Sequence, residues 1–345
     1  MPSEITLPKA GKPPGVAGAW DRFFFTPADP APLGLIRIAT GLLLMWSLGC
    51  MAFDLRGFLG EAGWVDQDIL REARHDHWEW SLWNLVPDGM LWPAWSGMMV
   101  VLALFTVGFQ SRVVAPLAWA VAVSTARRNP LILFGFDQFV SLWAFYLAVT
   151  GASGQAFSLD QLLSRRRLGP CGVQPTISAN LALRLIQLHL AVSYGAAGVA
   201  KLGGVSWREG SAIIKILGNG EFRPFDLTWI LTLPGAEYGL NLAAHLAVWT
   251  EVLYPVLIWK PRVRPWLLWA VLAMHAGIAI TLGLTEFSLA MLTGNLAFLS
   301  GEQIRRWMRR RRHGLGQDVA VESQEEIPVA PPAARPPRPS GRPRR

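Results

Sequence analysis

The sequence predicts an all-α fold: a polytopic membrane helix bundle with about eight transmembrane helices and a disordered C-terminal tail. Of its 345 residues, 52% are hydrophobic and only 16% are charged, which is too apolar for a soluble enzyme. Several apolar windows reach the roughly 20 residues that a helix needs to cross a bilayer. Many of the 17 tryptophans flank these windows, as is typical at membrane interfaces, where an indole meets apolar and polar surroundings together.

The N-terminal segment, 1–32, is rich in Pro and Gly and has three consecutive Phe residues before Pro27 and Pro30. This composition predicts a short interfacial element ahead of the first crossing. The predicted membrane domain is 33–301. Its third and fourth spans are short for a bilayer core of about 30 Å, so we expect them to be tilted, re-entrant or extended by their flanks. The predicted spans are 33–53, 91–110, 112–126, 137–151, 181–203, 240–259, 265–284 and 286–301.

The C-terminal segment, 302–345, is basic and rich in Pro. A net charge of +8 raises nucleic acid as a partner, but much of the positive charge is arginine after residue 304. A polybasic stretch directly after a last membrane helix fixes orientation and contacts anionic lipid, so we expect a lipid bilayer partner and no nucleic acid. The near absence of large apolar residues from about residue 314 predicts disorder. The positive-inside rule then predicts a multi-pass cell-membrane protein with both termini cytoplasmic.

A polar stripe runs along the fifth predicted span, where Gln187, Tyr194 and Lys201 recur every seven residues and so share one helix face. One hypothesis is that the stripe lines a cavity open to the outer side, in which lost hydration favours a neutral Lys201 amine that acts as a base. The alternative is that Lys201 snorkels to the interface while Tyr194 and Gln187 bond to neighbouring helices. Small residues on this helix let another helix or a ligand approach closely. We expect Lys201→Ala to leave the protein folded, because it removes a costly charge near the interface.

Two further ionisable residues, Glu251 and His275, lie near the middle of spans six and seven. A carboxylate at that depth needs a partner, and the candidates are His275 and, about two turns outward on its own helix, His245. The alternative is an interhelical hydrogen bond made by a protonated Glu251. For Arg37, one turn into the first span, we expect a carbonyl or a headgroup phosphate as the partner.

Between the third and fourth spans, Arg127, Arg128 and Asp137 form an outer turn that departs from the positive-inside trend. One hypothesis is that this turn meets an anionic group such as a carboxylate; the alternative is a salt bridge with Asp137 or with the acidic first loop. The segment 75–79 of that loop contains two His and two acidic residues. No further ligand cluster supports it, so we predict no metal site.

The segment from Tyr194 to Gly210 ends an apolar helix with Lys201-Leu202 and continues to Trp207. This pattern resembles the core motif of the HTTM family, the membrane domain shared by vitamin K-dependent gamma-carboxylases and many bacterial proteins. The resemblance covers most of residues 20–301. Its other matching segments are Asp29-Pro30, Leu35 to Gly41, Arg128 to Pro130, Gly135 to Asp137, Arg262 to Pro265, His275 and Phe287.

The resemblance implies that Lys201 is the base that starts oxygenation of a reduced quinone and that His275 is a second catalytic residue. The chain departs from the carboxylases in two respects. It has Gly135-Phe136-Asp137 where they carry Asn-Asn-His, and it lacks their large lumenal C-terminal region. Protein gamma-carboxylation is therefore not expected. Quinol-linked chemistry and maturation of an exported peptide stay open. The residues predicted to bind substrate are Tyr194, Trp207, Arg127, Arg128, Asp137, His245 and Glu251.

Two functions follow from these residues. The first is a carboxylase-like lyase that deprotonates a lipid-soluble quinol with Lys201 at an outward-facing cavity. The second is a non-catalytic membrane maturation or immunity factor that binds an exported peptide or protein through the Trp-rich first loop. A transporter would need an inward path as well, and the polar residues cluster in the outer half.

Overall fold

The computed structural model describes residues 15–61, 63–65, 81–168, 173–219 and 224–307. Over these ranges the regular structure is helical, apart from an isolated antiparallel bridge between Ala28 and Thr176. We number the α-helices in chain order. They are α1 (Val16–Phe25), α2 (Ala31–Cys50), α3 (Leu55–Leu59), α4 (Leu91–Val107), α5 (Ser111–Arg128), α6 (Gly135–Thr150), α7 (Leu159–Leu168), α8 (Ile177–Gly203), α9 (Val205–Arg208), α10 (Ala212–Gly218), α11 (Ala236–Leu257), α12 (Arg264–Leu282) and α13 (Thr285–Asn295).

All eight predicted membrane segments contain a helix: α2, α4, α5, α6, α8, α11, α12 and α13. The all-helical fold is therefore confirmed, whereas the count of about eight crossings is not. Helix α6 has 16 residues and α13 has 11, and α5 includes three arginines, so these helices are too short or too charged to qualify by themselves. In the described part of the chain, five stretches are long and apolar enough to cross a membrane: Ala31–Leu59, Asp88–Val107, Ile177–Gly203, Ala236–Leu257 and Arg264–Leu282.

Large apolar side chains on the long helices point away from the bundle. Val192 and Val199 on α8 are 71% and 64% exposed, and Trp266 at the start of α12 is 76% exposed. Soluble monomers rarely expose such large apolar surfaces on several helices, because contact between apolar surface and water is unfavourable. Lipid acyl chains would cover it, and the backbone polar groups of these helices are satisfied internally, as a bilayer requires. The surface therefore suits a lipid environment.

The helix boundaries follow local sequence signals. The Thr176 side chain accepts a hydrogen bond from the backbone N–H of Ala179 (3.1 Å) and so caps the start of α8. Helices α2 and α12 each begin with a proline in the first turn, where a missing N–H costs nothing. Helix α4 ends at Gly108, whose left-handed backbone (φ +71°) favours glycine. The chain can therefore turn sharply before α5.

The N-terminal Phe-rich element is the helix α1, and it packs against α8. The carbonyl oxygen of Phe23 accepts hydrogen bonds from Asn180 Nδ2 (2.8 Å) and from Arg184 Nε (3.1 Å). The Arg184 guanidinium also lies over the Phe23 ring, 4.2 Å from its centroid. These contacts fasten α1 to the first half of α8.

Arg37 is fully buried in α2, and backbone carbonyls surround its guanidinium. It donates to the carbonyl oxygens of Ala156 (3.1 Å) and Phe157 (2.6 Å), and also to those of Ser153 and Thr106. A carbonyl is one of the two partners that the sequence predicted. The side chain joins α2 to the last turn of α4 and to the segment that follows α6, because its planar fork can reach several acceptors at once.

The short helix α13 lies among α2, α6, α8 and α12. Its residues Ala290, Met291 and Asn295 are buried. Trp143 of α6 is fully buried as well, and its indole N–H donates to the carbonyl oxygen of Ala290 (3.0 Å). Because α13 is central, polar side chains on α8, α11 and α12 that point inward meet one another beside it.

Helices α8 and α11 form the most extensive helix pair of the bundle. A Cβ atom added at Gly198 would lie 2.7 Å from the backbone nitrogen of Val252, and one added at Gly195 would lie 2.8 Å from Cγ of Pro255. The small residues of α8 therefore accommodate a neighbouring helix, which is one of the two roles that the sequence allowed. This close approach brings the facing side chains of the two helices within bonding distance.

We expect Gly198→Ala to destabilise the fold by about 1–3 kcal/mol, because the added methyl must push the α11 backbone away. Gly203→Ala is the matched control, since a Cβ there would meet nothing within 4 Å at the end of the same helix. Thermal unfolding of both variants in detergent measures the difference. Equal melting temperatures would contradict the close α8–α11 packing.

Contacts divide the chain into a compact unit of residues 1–301 and a second unit of residues 302–345. Two predictions lie outside the described residues. These are the disorder of the tail from about residue 314 and the interpretation of the His-containing segment 75–79. In the described part of the chain, no group of three or more His, Cys, Asp or Glu side chains is placed to hold a metal ion.

Candidate functional site

The polar stripe of α8 faces the bundle. Gln187 and Tyr194 are buried, and the Lys201 side chain is 25% exposed. Gln187 donates to the carbonyl oxygen of Ala297 (2.7 Å), beyond α13. Each of the three side chains meets a partner on another segment, so the stripe lies at interhelical contacts.

Lys201 forms an ion pair with Glu251 of α11. Its Nζ atom lies 2.8 Å from Oε1 and 2.6 Å from Oε2 of the carboxylate. Nζ also lies 5.4 Å from the ring centroid of Trp207, which the four-residue helix α9 carries just after α8. The Glu251 side chain is only 8% exposed. The cation and the anion therefore compensate each other within apolar helices, where neither is favourable alone.

The sequence proposed His275 or His245 as the partner of Glu251, and the structure brings Lys201 to it. The missed signal was the pair of glycines on α8, which lets α11 approach at the depth of the lysine. His245 lies six residues before Glu251, which places it about 120° around the helix axis, and it is half-buried. Glu251 instead shares the buried face of α11 with Val248 and Tyr254.

A second cluster of hydrogen bonds lies next to the ion pair. The Tyr194 hydroxyl lies 2.9 Å from Nε2 of His275 on α12 and accepts a hydrogen bond from Asn295 Nδ2 (3.2 Å) on α13. Tyr254, one turn after Glu251, donates its hydroxyl to Asn295 Oδ1 (2.6 Å). The two tyrosine rings are 4.2 Å apart. Four helices thus contribute to one buried polar network.

Sequence reasoning missed Tyr254 and Asn295 in this network. The available signal was that Tyr254 follows Glu251 by three residues and so shares its helix face. Asn295 lies at the end of the last apolar run, where its side-chain amide also needs a hydrogen-bond partner. Neither position carries a charge, so neither stood out among the surrounding apolar residues.

His275 is 98% buried, and its second ring nitrogen, Nδ1, has no hydrogen-bond partner among the described residues. Its ring lies 5.8 Å from that of Phe287, which packs over Gly135 at the start of α6. A buried nitrogen without a hydrogen-bond partner is unfavourable unless water or a ligand forms a hydrogen bond with it. His275 is therefore the member of the network with free hydrogen-bonding capacity.

The predicted outer turn is built differently from the Lys201 cluster. Arg128 is buried and donates to the carbonyl oxygens of Leu59 (2.8 Å) and Gly60 (2.7 Å) and to Oδ1 of Asn84 (2.7 Å). These bonds occupy its planar fork and fasten the segment after α3 to the end of α5. The adjacent Arg127 side chain is exposed.

Asp137 lies in the first turn of α6, where its Oδ2 accepts from the backbone N–H of Phe134 (3.2 Å). It also lines a narrow pocket between α2, α4, α5 and α6, together with Ser47, Thr125 and Ser141. None of those four helices carries Lys201 or Glu251. The structure thus gathers Lys201, Glu251, Trp207, Tyr194 and His275 into one site, and places Arg127, Arg128, Asp137 and His245 at other contacts.

The chain has a distant likeness to a known bacterial protein. The chain is similar to a Bacillus subtilis (strain 168) protein described as uncharacterized protein YitO, with 25% identity over 240 residues, or 64% of this chain and 72% of that protein. No family model matches the chain, and no solved structure matches it. The relative's name states no activity, so the resemblance to the HTTM family stays a prediction.

Proposed function

We propose that the chain is a multi-pass cell-membrane protein of the HTTM type that removes a proton from a lipid-soluble quinol, with Lys201 as the base. The observation that carries this proposal is the Lys201–Glu251 pair, with contacts of 2.6 and 2.8 Å, held between apolar helices while Lys201 keeps partial exposure. In this topology α5, α6 and α13 complete about eight crossings and both termini are cytoplasmic.

The pair offers a physical route to a neutral lysine. When a proton passes from the ammonium to the carboxylate, two charged groups become two neutral ones. In a low dielectric this avoids the cost of burying two charges, which offsets the lost attraction between them. Glu251 then carries the proton and Lys201 has a free amine. When a quinol hydroxyl reaches Nζ, its proton moves to the amine, which leaves an ammonium beside a quinolate. Proton and charge are conserved, and the new ion pair replaces the old one.

The surrounding side chains are suited to hold an aromatic substrate at this amine. The Trp207 ring, 5.4 Å from Nζ, provides a flat apolar surface. Tyr194 and Asn295 fix the His275 ring through its Nε2 side. The Nδ1 atom, which has no partner among the described residues, is sealed from the surface, so a substrate oxygen can bond to it only when the neighbouring side chains move apart. Protein gamma-carboxylation is not part of the proposal, because Gly135-Phe136-Asp137 stands where the carboxylases carry Asn-Asn-His.

Two variants test the role of the amine. Lys201→Arg keeps a cation beside Glu251 but cannot act as a base, since a guanidinium stays protonated. The charge swap Lys201→Glu/Glu251→Lys keeps the ion pair but places the lysine amine on α11 instead of α8. We expect both variants to fold and to deprotonate a reduced short-chain naphthoquinone at least about 100-fold more slowly, the smallest effect typical of a lost general base.

The measurement is anaerobic absorbance of the quinolate formed by the purified chain in lipid nanodiscs. Lys215→Arg is the matched control, because Lys215 lies on α10, outside the site, and bonds to the Ser206 hydroxyl (2.6 Å). If either site variant keeps the native rate, the pair is architectural and the proposal of a base fails.

The second candidate function is a non-catalytic maturation or immunity factor that binds an exported peptide or protein. It is favoured by exposed aromatic side chains after α2, where Phe53 is 95% exposed and Trp64 is 70% exposed. Trp64 is held in place by a hydrogen bond from its indole to Asp54 (2.8 Å). Under this function Phe53→Ser and Trp64→Ser weaken partner binding, whereas Lys201→Arg does not.

A further inference from the structure

A histidine and a tyrosine meet at a place that the Lys201 site does not use. The Tyr146 hydroxyl of α6 lies 3.1 Å from Nδ1 of His189 on α8. Both side chains are half-buried. Nε2 of His189 has no hydrogen-bond partner among the described residues, and it is not among the atoms sealed from the surface. The pair therefore presents one open hydrogen-bonding atom.

This open atom lies where lipid would be. His189 is at the middle of the 27-residue helix α8, so it sits near the centre of a bilayer whichever way the helix points. Val192, one turn further along, is 71% exposed, which shows that this edge of α8 faces outward. Acyl chains offer no hydrogen bond, so a free imidazole nitrogen at this depth is costly and marks a functional site.

Aromatic rings surround the imidazole. The rings of Phe139 and Trp143 on α6 lie edge-on to it, each with its centroid 5.9 Å from that of His189. Tyr146 contributes a third ring at 6.1 Å, and Phe145 packs beside Tyr146 at 5.8 Å. Trp143 is fully buried, so the partly exposed rings of Phe139, Phe145 and Tyr146 are the ones that a planar ligand with few polar groups can contact.

We propose that this face of α6 and α8 binds the ring of a lipid-soluble quinone or quinol, whose oxygen bonds to Nε2 of His189. Headgroups and sterol hydroxyls stay near the interface, half a bilayer away. A fatty-acid carboxylate would need a cation, and none is among the groups that contact His189 in the described chain. A quinone ring is apolar enough to reach this depth, and its oxygen can form the hydrogen bond for which Nε2 of His189 has no partner among the described residues.

The histidine–tyrosine pair serves both redox states of such a ring. If Tyr146 donates to Nδ1, the proton of His189 is on Nε2 and can bond to a quinone carbonyl. If Nδ1 donates to the tyrosine oxygen, Nε2 is an acceptor for a quinol hydroxyl. The tyrosine hydroxyl rotates to suit either tautomer, so the site tolerates oxidation and reduction of its ligand.

A line of aromatic rings joins this site to the Lys201 cluster. Phe139 lies 6.1 Å from Phe287, and Phe287 lies 5.8 Å from His275, which bonds to Tyr194. The inference rests on the proposed function for the class of ligand, but it uses different residues. On this arrangement, the α6–α8 face takes the ring from lipid about 18 Å along α8 from the site where Lys201 would act, because twelve residues separate His189 from Lys201.

The test is photolabelling of the full chain in nanodiscs with an azido-benzoquinone that carries a short isoprenyl tail. We expect label on peptides that contain residues 139–146 and 189. His189→Leu and Tyr146→Phe should weaken saturable labelling by about tenfold, as expected for a lost buried hydrogen bond. Tyr238→Phe is the matched control, because Tyr238 is 76% exposed on α11.

Unchanged labelling in both variants would overturn the inference, and so would label confined to peptides that contain Glu251. A Val192→Cys variant that forms disulfide-linked dimers while the azidoquinone leaves α6 and α8 unlabelled would show that a second copy covers this face. The Lys201→Arg variant separates the two proposals. If the base proposal is wrong and this site is right, Lys201→Arg keeps native quinol deprotonation while the labelling still depends on His189.

Discussion

Glu251→Ala is expected to lower the free energy of unfolding by about 3–5 kcal/mol, because it leaves the Lys201 ammonium without its anion between apolar helices. Lys201→Ala should cost a similar amount, since the Glu251 carboxylate, only 8% exposed, then has no cation. The expectation from sequence was the opposite, that Lys201→Ala leaves the fold intact. That expectation treated Lys201 as an isolated charge near the interface, whereas the structure gives it a buried partner.

The double variant Lys201→Met/Glu251→Met is the control for this pair. Removing both charges together avoids any uncompensated ion, and methionine keeps much of the volume of each side chain, so the double variant should be near native stability. Thermal unfolding in detergent of the two single variants and the double variant forms a complete mutant cycle. If the losses of the single variants simply add in the double variant, the two residues are not coupled and the ion pair does not form.

Arg37→Met is expected to lower the free energy of unfolding by about 4 kcal/mol or more. The guanidinium satisfies the buried carbonyl oxygens of Ser153 and Ala156 and the partly buried ones of Thr106 and Phe157. Each carbonyl left without a donor costs about 1–3 kcal/mol. Arg37→Lys should recover only part of the loss, because one ammonium cannot reach acceptors that a planar fork spans.

Arg166→Met is the matched control for Arg37, because Arg166 is exposed on α7. Its replacement should change stability by less than about 0.5 kcal/mol. The stability of the two variants is compared by their yield of monodisperse protein on size exclusion and by their melting temperatures. Equal behaviour of Arg37→Met and Arg166→Met would show that the carbonyl cluster does not hold the fold together.

These contacts also constrain how the site can work. Lys201 belongs to an ion pair, so the proposed reaction begins with a proton shift within that pair. Arg128, for which one of the two sequence hypotheses was an anionic partner, is engaged with the carbonyls of Leu59 and Gly60 and with Asn84. The charge nearest the reacting group in the proposed reaction is therefore Glu251.

The sequence by itself determined the helical class, the approximate positions of the eight apolar segments and the shared face of Gln187, Tyr194 and Lys201. These follow from local composition and from the 3.6-residue period, which involve only neighbours along the chain. Only the tertiary structure decided that Glu251 pairs with Lys201 and that His275 bonds to Tyr194. Those choices depend on how each helix is rotated and how closely α11 approaches Gly198, and such geometry is set by the packing of residues 50 or more positions apart.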